Sequence, residues 1–438
     1  MKSNTEIKDW YVSKFNAFEQ SLNGTKDAPF HQIRKTALSR FSELGFPGRR
    51  DEEWKYTNLS PLLKHKLSFS ETKNVSEKNI NKYAFKGLEE NLIIFVNGYF
   101  SKKFSNFSSS ANGVIVDSLE NGLQTHGDLI APHLAKHADF EHEHFVALNT
   151  AFAQDGYFIY VPDNVVVEET IHILYLSDAS ESSFFAAPRN LIFGGKNCQI
   201  KIIERHCGWG ENPYFNNVVT EVIAEDNSRI DHVRIQDESL NAYHIFALQA
   251  QQHRDSHYSL VNVDLGGVLV RNNLNLALDA EHCEGHLIGF YMGTGKQHVD
   301  NHTVIDHIKP NCYSNEVYKG ILGGKATGVF NGKIFVREDA QKTNAYQDNK
   351  ALLLSDDARV NTKPQLEIFA DDVKCSHGAT VGQLDNEALF YLRSRGIPEE
   401  KAYSTLQYAF ASEVFGYISN EAVREQLNEI LLERFPNL

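Results

Sequence analysis

The sequence predicts a mainly β protein, with a β-solenoid core between helical N-terminal and C-terminal regions. Residues 91 to 382 consist of short apolar-alternating runs separated by Gly, Asn and Asp, which is the pattern of strands and turns. Within them a polar turn, a small residue, one variable residue and a β-branched residue recur at 196–200 (KNCQI), 226–230 (DNSRI) and 356–360 (DDARV). A small corner residue followed by an inward Ile or Val suits stacked coils that bury their apolar sides against one another. A two-sheet β-sandwich would show the same alternation and remains the alternative.

Helical spacing marks the N-terminal region, residues 1 to 90. Apolar residues recur at helical intervals before residue 23 and again after Pro29. They are Ile7, Trp10, Tyr11, Phe18 and Leu22, then Ile33, Ala37, Phe41 and Leu44. We therefore expect helices before the first strand, which begins in LIIFVNGYF at 92–100.

A histidine-rich helical insertion is predicted within the strands at about residues 131 to 156, APHLAKHADFEHEHFVALNTAFAQDG. On one helix His133, His137, Glu141 and His144 would share a face. Neutral imidazoles at this spacing can bind a divalent metal, but the HExxH signature of zinc proteases is absent. A solvated polar face opposite the apolar residues explains the same pattern, and we favour it.

Residues 383 to 438 return to helical spacing. NEALFYLRSRG ends at Gly396, which suits the residue that follows a helix, and Pro398 opens the next segment. Asn420 is a candidate N-cap for a final helix with an apolar stripe. These helices either close the end of the solenoid or dock a partner.

The composition of the 438-residue chain argues against several classes of partner. A formal net charge of -14 and the absence of a Lys/Arg stripe disfavour nucleic acid, because binding to phosphates depends on positive charge. No apolar run approaches the roughly 20 residues of a membrane-spanning helix, and the first residues lack the apolar centre of a signal peptide. We therefore expect a cytoplasmic protein that does not bind membranes.

The segment IGFYMGTGKQ, residues 288 to 297, resembles a phosphate-binding loop only superficially. The GxxxxGK[ST] pattern would need Gly at position 290 and Ser or Thr at 297, where the chain has Phe290 and Gln297. We therefore expect no nucleotide site there, and any ATP hydrolysis must come from another chain.

The segment HVDNHTVIDH, residues 298 to 307, is rich in side chains that bind metals. On a strand His298, Asp300 and His302 face one side and His307 the other, and such a mixed N/O set suits iron or manganese. A structural hydrogen-bond network between coils explains the same residues and is the favoured interpretation.

The five cysteines form neither a disulfide framework nor a CxxC zinc pattern, so we expect reduced thiols. Cys198 and Cys283 occupy corner positions, while Cys207 and Cys312 have no thiol partner at ligand spacing. All four are therefore predicted to be packing residues.

Cys375 and His377 lie in DDVKCSHGATVGQLD, residues 371 to 385, between the last strands and the last helices. On an extended backbone their side chains face the same way. Lys374 and His377 are expected to lower the pKa of the thiol, and the thiolate is the form that attacks or binds a metal. From spacing alone three roles stay open: a metal-ligand pair, a nucleophile beside its base, and packing.

Residues 331 to 397, which run from NGKIFVRED to LRSRGI and include KCSHGAT, resemble the signature region of the SufB/SufD family of iron-sulfur cluster assembly proteins. HVDNHTVIDHIKPNCYSNEVYKGIL at 298–322 and RRDEEWKYTNL at 49–59 are similar to the same family. The resemblance spans most of the chain. It implies a right-handed parallel β-helix flanked by helical regions, in agreement with the solenoid predicted above.

The resemblance also implies a non-enzymatic assembly subunit that works as a heterodimer with SufB and with the ATPase SufC. The last helices would dock SufC, and SufB would pair edge-on near the C-terminal end of the β-helix. The family's cysteine and histidine fall on Cys375 and His377. His377 is the first candidate, and Cys375 the second, for an interface ligand of iron or a nascent Fe-S cluster shared with SufB.

This chain on its own lacks the roughly four neighbouring ligands that a stably bound Fe-S cluster requires. Any iron or cluster would therefore be held transiently in the complex. Two enzymatic alternatives remain. A cytoplasmic β-helix enzyme using Cys375 and His377 would need an exposed pocket and an oxyanion hole. A β-helix polysaccharide enzyme would need paired acidic residues, and the missing signal peptide and the intracellular pattern of cysteines count against it.

Overall fold

Two long parallel sheets wind around a common interior in the computed structural model, which describes residues 2–22, 29–70, 75–107 and 112–437. They form a parallel β-solenoid of about eight turns with helices at both termini. The predicted solenoid is therefore confirmed, and the β-sandwich alternative is wrong. Among the described residues, no helix is both long and apolar enough to cross a bilayer.

The helices lie mainly before the first strand and after the last one. They are α1 Lys2–Ser21, α2 Pro29–Leu44, α3 Glu77–Tyr83, α4 Leu119–Thr125, α5 Gly127–Ile130, α6 His144–Phe152, α7 Asn386–Ser394, α8 Glu399–Phe415 and α9 Glu421–Arg434. Short 3-10 helices occur at Glu52–Trp54, Leu62–Lys64 and Phe435–Asn437.

The strands are β1 Leu92–Val96, β2 Tyr99–Phe100, β3 Ile115–Ser118, β4 Tyr157–Val161, β5 Ile171–Asp178, β6 Phe184–Ala186, β7 Arg189–Gly194, β8 Gln199–Trp209, β9 Tyr214–Ala224 and β10 Arg229–Asp237. They continue with β11 Ala242–Gln252, β12 His257–Asp264, β13 Leu269–Leu278, β14 Glu284–Gly293, β15 His298–His307, β16 Tyr313–Leu322, β17 Thr327–Val336, β18 Asn344–Leu353, β19 Arg359–Ile368 and β20 Lys374–Gly382.

Successive strands from β8 onwards alternate between the two sheets. Sheet 1 has the order β2-β1-β5-β8-β10-β12-β14-β16-β18-β20, and sheet 2 the order β19-β17-β15-β13-β11-β9-β7-β4-β3, with β6 also pairing with β9. All pairings are parallel except β1 with β2 and β3 with β4. Because each coil stacks in register on the next, every inward-facing side chain belongs to a column that runs along the solenoid.

The recurring corner motif has the predicted structure. Cys198 and Ser228, at the small position of two corners, are buried. The preceding Asn197 and Asn227 have φ near +57° and +56°, in the left-handed region that Asn tolerates. Asn227 Nδ2 donates to Asn197 Oδ1 over 2.8 Å, which ties one corner to the next. The four cysteines predicted to be packing residues, Cys198, Cys207, Cys283 and Cys312, are all buried.

The first two helices pack on the outer face of sheet 2, where Tyr11 and Phe41 join Phe215 and Ile245 in one apolar cluster. After α2 the chain is less helical than the predicted region 1 to 90, because Gly45 takes φ +64° and ends the helix. Its N–H donates to Phe41 O over 2.8 Å in the manner of a helix C-cap.

The helix predicted over residues 131 to 156 is shorter than expected, since α6 covers only His144–Phe152 and residues 131–138 form turns. The cause is the buried carboxylate of Glu221, which accepts the backbone N–H groups of four consecutive residues at 2.7–3.0 Å. Arg189 compensates its charge at 2.7 Å. Ala135 also takes φ +57°, which breaks a helix. The four residues whose N–H groups Glu221 accepts are Ala135, Lys136, His137 and Ala138.

His133, His137, Glu141 and His144 therefore do not share one helical face, because the first three lie outside any helix. His144 begins α6, and its Nδ1 lies 2.9 Å from the backbone oxygen of Gly45.

The C-terminal helices have the predicted ends. Gly396 follows α7 with φ +83°, Pro398 precedes α8, and Asn420 caps α9 by accepting the N–H of Val423 over 3.2 Å. α8 and α9 lie on the outer face of sheet 1, where Val414 and Leu427 are buried among its outward residues. They cover the side of the solenoid rather than its end.

Candidate ligand pair at the open end of the solenoid

The last coil of the solenoid has two strand edges that no described strand covers. β19 pairs only with β17, and β20 pairs only with β18. Both edge strands are long, with 10 and 9 residues. An unpaired edge of this length presents a row of free N–H and C=O groups and is a template for pairing with another chain.

The apolar interior is also open at this end. In one inward column Ile305 and Ile334 are fully buried, whereas the next member, Leu366, is only half-buried. Phe369 is 61% exposed, and the inward-facing Val381 is 44% exposed. The last coil therefore has the surface of a solenoid that a further coil would complete.

Cys375 and His377 both lie on β20 and face into this open end. Their register partners on β18 are Ala345 and Gln347, which are buried in the interior. The two side chains therefore share one face, as predicted. Cys375 is half-buried and packs against the same buried apolar cluster as Leu366, whereas His377 is exposed.

The thiol of Cys375 is not activated, because burial raises its pKa above the ordinary value. The prediction that Lys374 and His377 lower this pKa is wrong. Lys374 adjoins Cys375 on the strand and so faces the opposite side of the sheet. A protonated thiol is a poor nucleophile, so this geometry disfavours the alternative of an enzyme that uses Cys375 and His377.

A buried polar column leads to His377 from the interior. Glu316, Gln347 and His377 occupy the same register position on β16, β18 and β20. Gln347 Nε2 donates to Glu316 Oε2 over 2.7 Å, and burial raises the pKa of Glu316 to about 7. Local sequence patterns do not reveal this column, because the pairing of residues 31 positions apart follows only from the coil register.

The predicted set on β15 lies as expected on two sides of the strand, and its side chains have partners. His298 Nε2 lies 2.8 Å from Thr57 Oγ1, while Asp300 is paired with the buried Arg271. His302 Nδ1 lies 3.1 Å from the carboxylate of Glu53. On the inward side, Nε2 of His307 contacts Ser314 Oγ at 2.9 Å. These contacts tie the 49–59 segment and neighbouring strands together, as a structural network would.

The described chain is thus a parallel β-solenoid whose candidate ligands lie at the end where two strand edges are uncovered. The sequence comparisons identify the family. Residues 175–410 match the SufBD core domain of the SUF system of FeS cluster assembly, and residues 5–173 match the SufBD protein N-terminal region. The chain belongs to the SufBD family of iron-sulfur cluster assembly proteins.

Relatives align over most of the chain. It is 32% identical to an iron-sulfur cluster assembly SufBD family protein of Synechocystis, over 94% of this chain and 92% of that protein. It is 29% identical to the iron-sulfur cluster assembly protein SufD of Escherichia coli, over 99% of this chain and 98% of that protein. SufD of Bacillus subtilis is also 29% identical, over 73% of each chain. These matches confirm the family resemblance recognised in residues 331 to 397.

Proposed function

We propose that this chain is a SufD-type scaffold subunit that acts with SufB and the ATPase SufC in building nascent clusters or loading them with iron. The last coil pairs with SufB, and His377 supplies a ligand to iron or to a cluster whose other ligands come from SufB. The observation that supports this most is an exposed, inward-facing imidazole on a coil with two open edges.

Edge pairing explains several exposed features at once. A further coil contributed by SufB would satisfy the backbone groups of β19 and β20 and bury Phe369 and Val381. Burial of this apolar surface favours the contact and offsets part of the freedom that the two chains lose on association. The same contact would place SufB side chains over His377, which with Cys375 provides too few ligands for a cluster of its own.

His377 ranks before Cys375 for a physical reason. A thiol binds iron as the thiolate, so a half-buried Cys375 whose pKa is raised must lose a proton on binding. The imidazole of His377 is exposed at the rim of the open coil and can reach an ion held by a second chain. Cys375 would become a ligand only after the metal displaced the proton of its thiol.

The test is a His377→Ala variant co-expressed with SufB and SufC, followed by anaerobic reconstitution. Ser376→Ala is the matched control, since Ser376 is exposed on the same strand but faces the outer side. We expect iron and sulfide per complex to fall in His377→Ala and to stay at the wild-type level in Ser376→Ala, with SufB retained in both. Unchanged iron and sulfide in an intact His377→Ala complex would contradict the ligand role.

We further propose that the exposed aromatic surface of α7 docks SufC. Phe390 and Tyr391 are 74% and 56% exposed, and they border a groove with Leu406 of α8. Aromatic side chains that fill pockets often contribute much of the binding energy at protein interfaces.

Removal of residues 387 to 438 would not test this docking cleanly, because α8 and α9 bury the outer face of sheet 1. A Phe390→Asp/Tyr391→Asp double variant leaves those contacts in place. We expect it to weaken SufC binding by about 2 kcal/mol or more while SufB binding persists. Leu240→Asp, at a 60% exposed leucine between β10 and β11, is the control. Equal SufC affinity of both variants would contradict the proposal.

A further inference from the structure

Two imidazoles and a carboxylate meet on the outer face of sheet 1, away from the open end. One ligand atom of each of His257, Glu284 and His286 lies within 4.8 Å of the other two. Sequence spacing does not reveal this group, because His257 belongs to β12 and the other two residues belong to β14.

The coil register builds the cluster. Glu284 and His286 are two positions apart on β14 and so face the same side, while His257 is the direct neighbour of Glu284 on β12. All three lie near the beginnings of their strands. Further along the same strands, the outward residues Val263 and Phe290 are covered by α8 and α9.

The cluster is partly open to solvent, as an ion-binding site requires. The side chains of His257 and His286 are 15% and 14% exposed, and that of Glu284 is 48% exposed. The imidazoles of His257 and His286 are therefore largely buried by neighbouring residues, while the carboxylate of Glu284 is accessible to solvent.

The distances place the carboxylate between the two rings. His286 Nε2 lies 2.8 Å from Glu284 Oε1, and His257 Nδ1 lies 3.6 Å from Glu284 Oε2. The other nitrogen of His257, Nε2, faces Asp231 Oδ1 at 3.6 Å. A carboxylate behind a histidine is the arrangement that orients metal-binding imidazoles. His257 Nδ1 is buried and has no hydrogen-bond partner within the described parts of the chain.

Arg229 is a nearby cation. Its Nε lies 3.6 Å from Asp231, on the far side of His257 from Glu284.

We propose that His257, Glu284 and His286 bind one divalent first-row transition metal ion. Two imidazoles and one carboxylate, with the remaining coordination positions left to water, suit Fe²⁺, Mn²⁺, Co²⁺ or Zn²⁺, whereas Mg²⁺ and Ca²⁺ prefer oxygen ligands alone. The site is complete within this chain and does not depend on His377 or on SufB.

The test is a Co²⁺ titration of the full chain, prepared without a histidine tag and followed by its visible absorption. A His257→Ala/His286→Ala variant should lose one equivalent of bound Co²⁺, or bind it at least about tenfold more weakly. His142→Ala is the matched control, because His142 is an exposed histidine 2.8 Å from one carboxylate, Asp139, and this pair is not part of the three-residue cluster. It should keep the wild-type stoichiometry.

Two further variants and a metal competition distinguish this site from other bound Co²⁺. Glu284→Gln removes a charged ligand with little change in shape and should also weaken Co²⁺ binding, while His377→Ala should leave this equivalent intact. Zn²⁺, or a large excess of anaerobic Fe²⁺, should displace the bound Co²⁺, and Mg²⁺ should not. Wild-type stoichiometry and affinity in both the double variant and Glu284→Gln would overturn the proposal.

Discussion

At the scale of single residues, the solenoid interior contains charged groups that are fully buried and mutually compensated. Glu238 lies 2.5 Å from His244 Nδ1, and Arg234 Nη2 donates to the other nitrogen of that ring over 2.5 Å. His244 must therefore donate through Nδ1 and accept through Nε2, which makes it neutral. Breaking such a buried group is costly, although its net contribution to stability is small.

Glu316 gives a prediction on pH because it is buried and its pKa is raised to about 7 from 4.5. Between these values the folded protein keeps a proton that the unfolded chain releases, so stability falls as the pH rises from 4.5 to 7. Glu316→Gln removes this loss. We expect the free energy of unfolding of the variant, minus that of wild type, to increase by up to about 1.4 kcal/mol per pH unit between pH 4.5 and pH 7.

Urea unfolding of both proteins between pH 5 and pH 8 would measure the difference. Glu338→Gln, at an exposed position, is the control for the loss of one carboxylate. A difference between Glu316→Gln and wild type that does not change with pH would show that the carboxyl titrates normally.

At the scale of elements, α9 offers a direct comparison of a buried and an exposed leucine. Leu427 is fully buried against sheet 1, whereas Leu432 is 49% exposed on the same helix. We expect Leu427→Ala to lower the free energy of unfolding by about 2–5 kcal/mol, because it leaves a cavity. Leu432→Ala should change it by about 0.5 kcal/mol or less.

Thermal unfolding and amide hydrogen exchange of α9 would check this prediction. Faster exchange throughout α9 in Leu427→Ala, with the strands still protected, would show that the helices detach from sheet 1 before the solenoid unfolds. Equal destabilisation by both substitutions would contradict the assigned packing.

Elements with local signals were predictable from sequence, whereas those that depend on distant contacts were not. Gly396 and Asn420 carry local signals and do end and begin helices as expected. The helix expected at 131 to 156 begins only at His144, because Glu221, 86 positions from Ala135, accepts the backbone N–H groups of residues 135 to 138. A hydrogen bond over this separation leaves no trace in hydrophobic periodicity.

The candidate site followed the same rule. The side chains of Cys375 and His377 face the same way, as strand alternation predicted. The pKa of the Cys375 thiol depends on burial, which the neighbouring residues in the sequence do not reveal. The column of Glu316 and Gln347, and the cluster around Glu284, both require the register between coils.

At the scale of the whole molecule, the two ends of the solenoid differ. The first coil is flanked by short antiparallel strands, since β2 pairs with β1 and β3 pairs with β4. The outer faces of both sheets carry helices. In the described chain the long edges of β19 and β20 stay unpaired, so assembly with another chain is expected at this end.

A structure of the anaerobic complex with SufB and SufC would test the central proposal most directly. We predict that strands of SufB pair with β19 and β20, that Val381 becomes buried, and that His377 lies within ligand distance of a SufB thiolate or of bound iron. A complex in which the edges of β19 and β20 stay exposed to solvent and SufB binds elsewhere would contradict it.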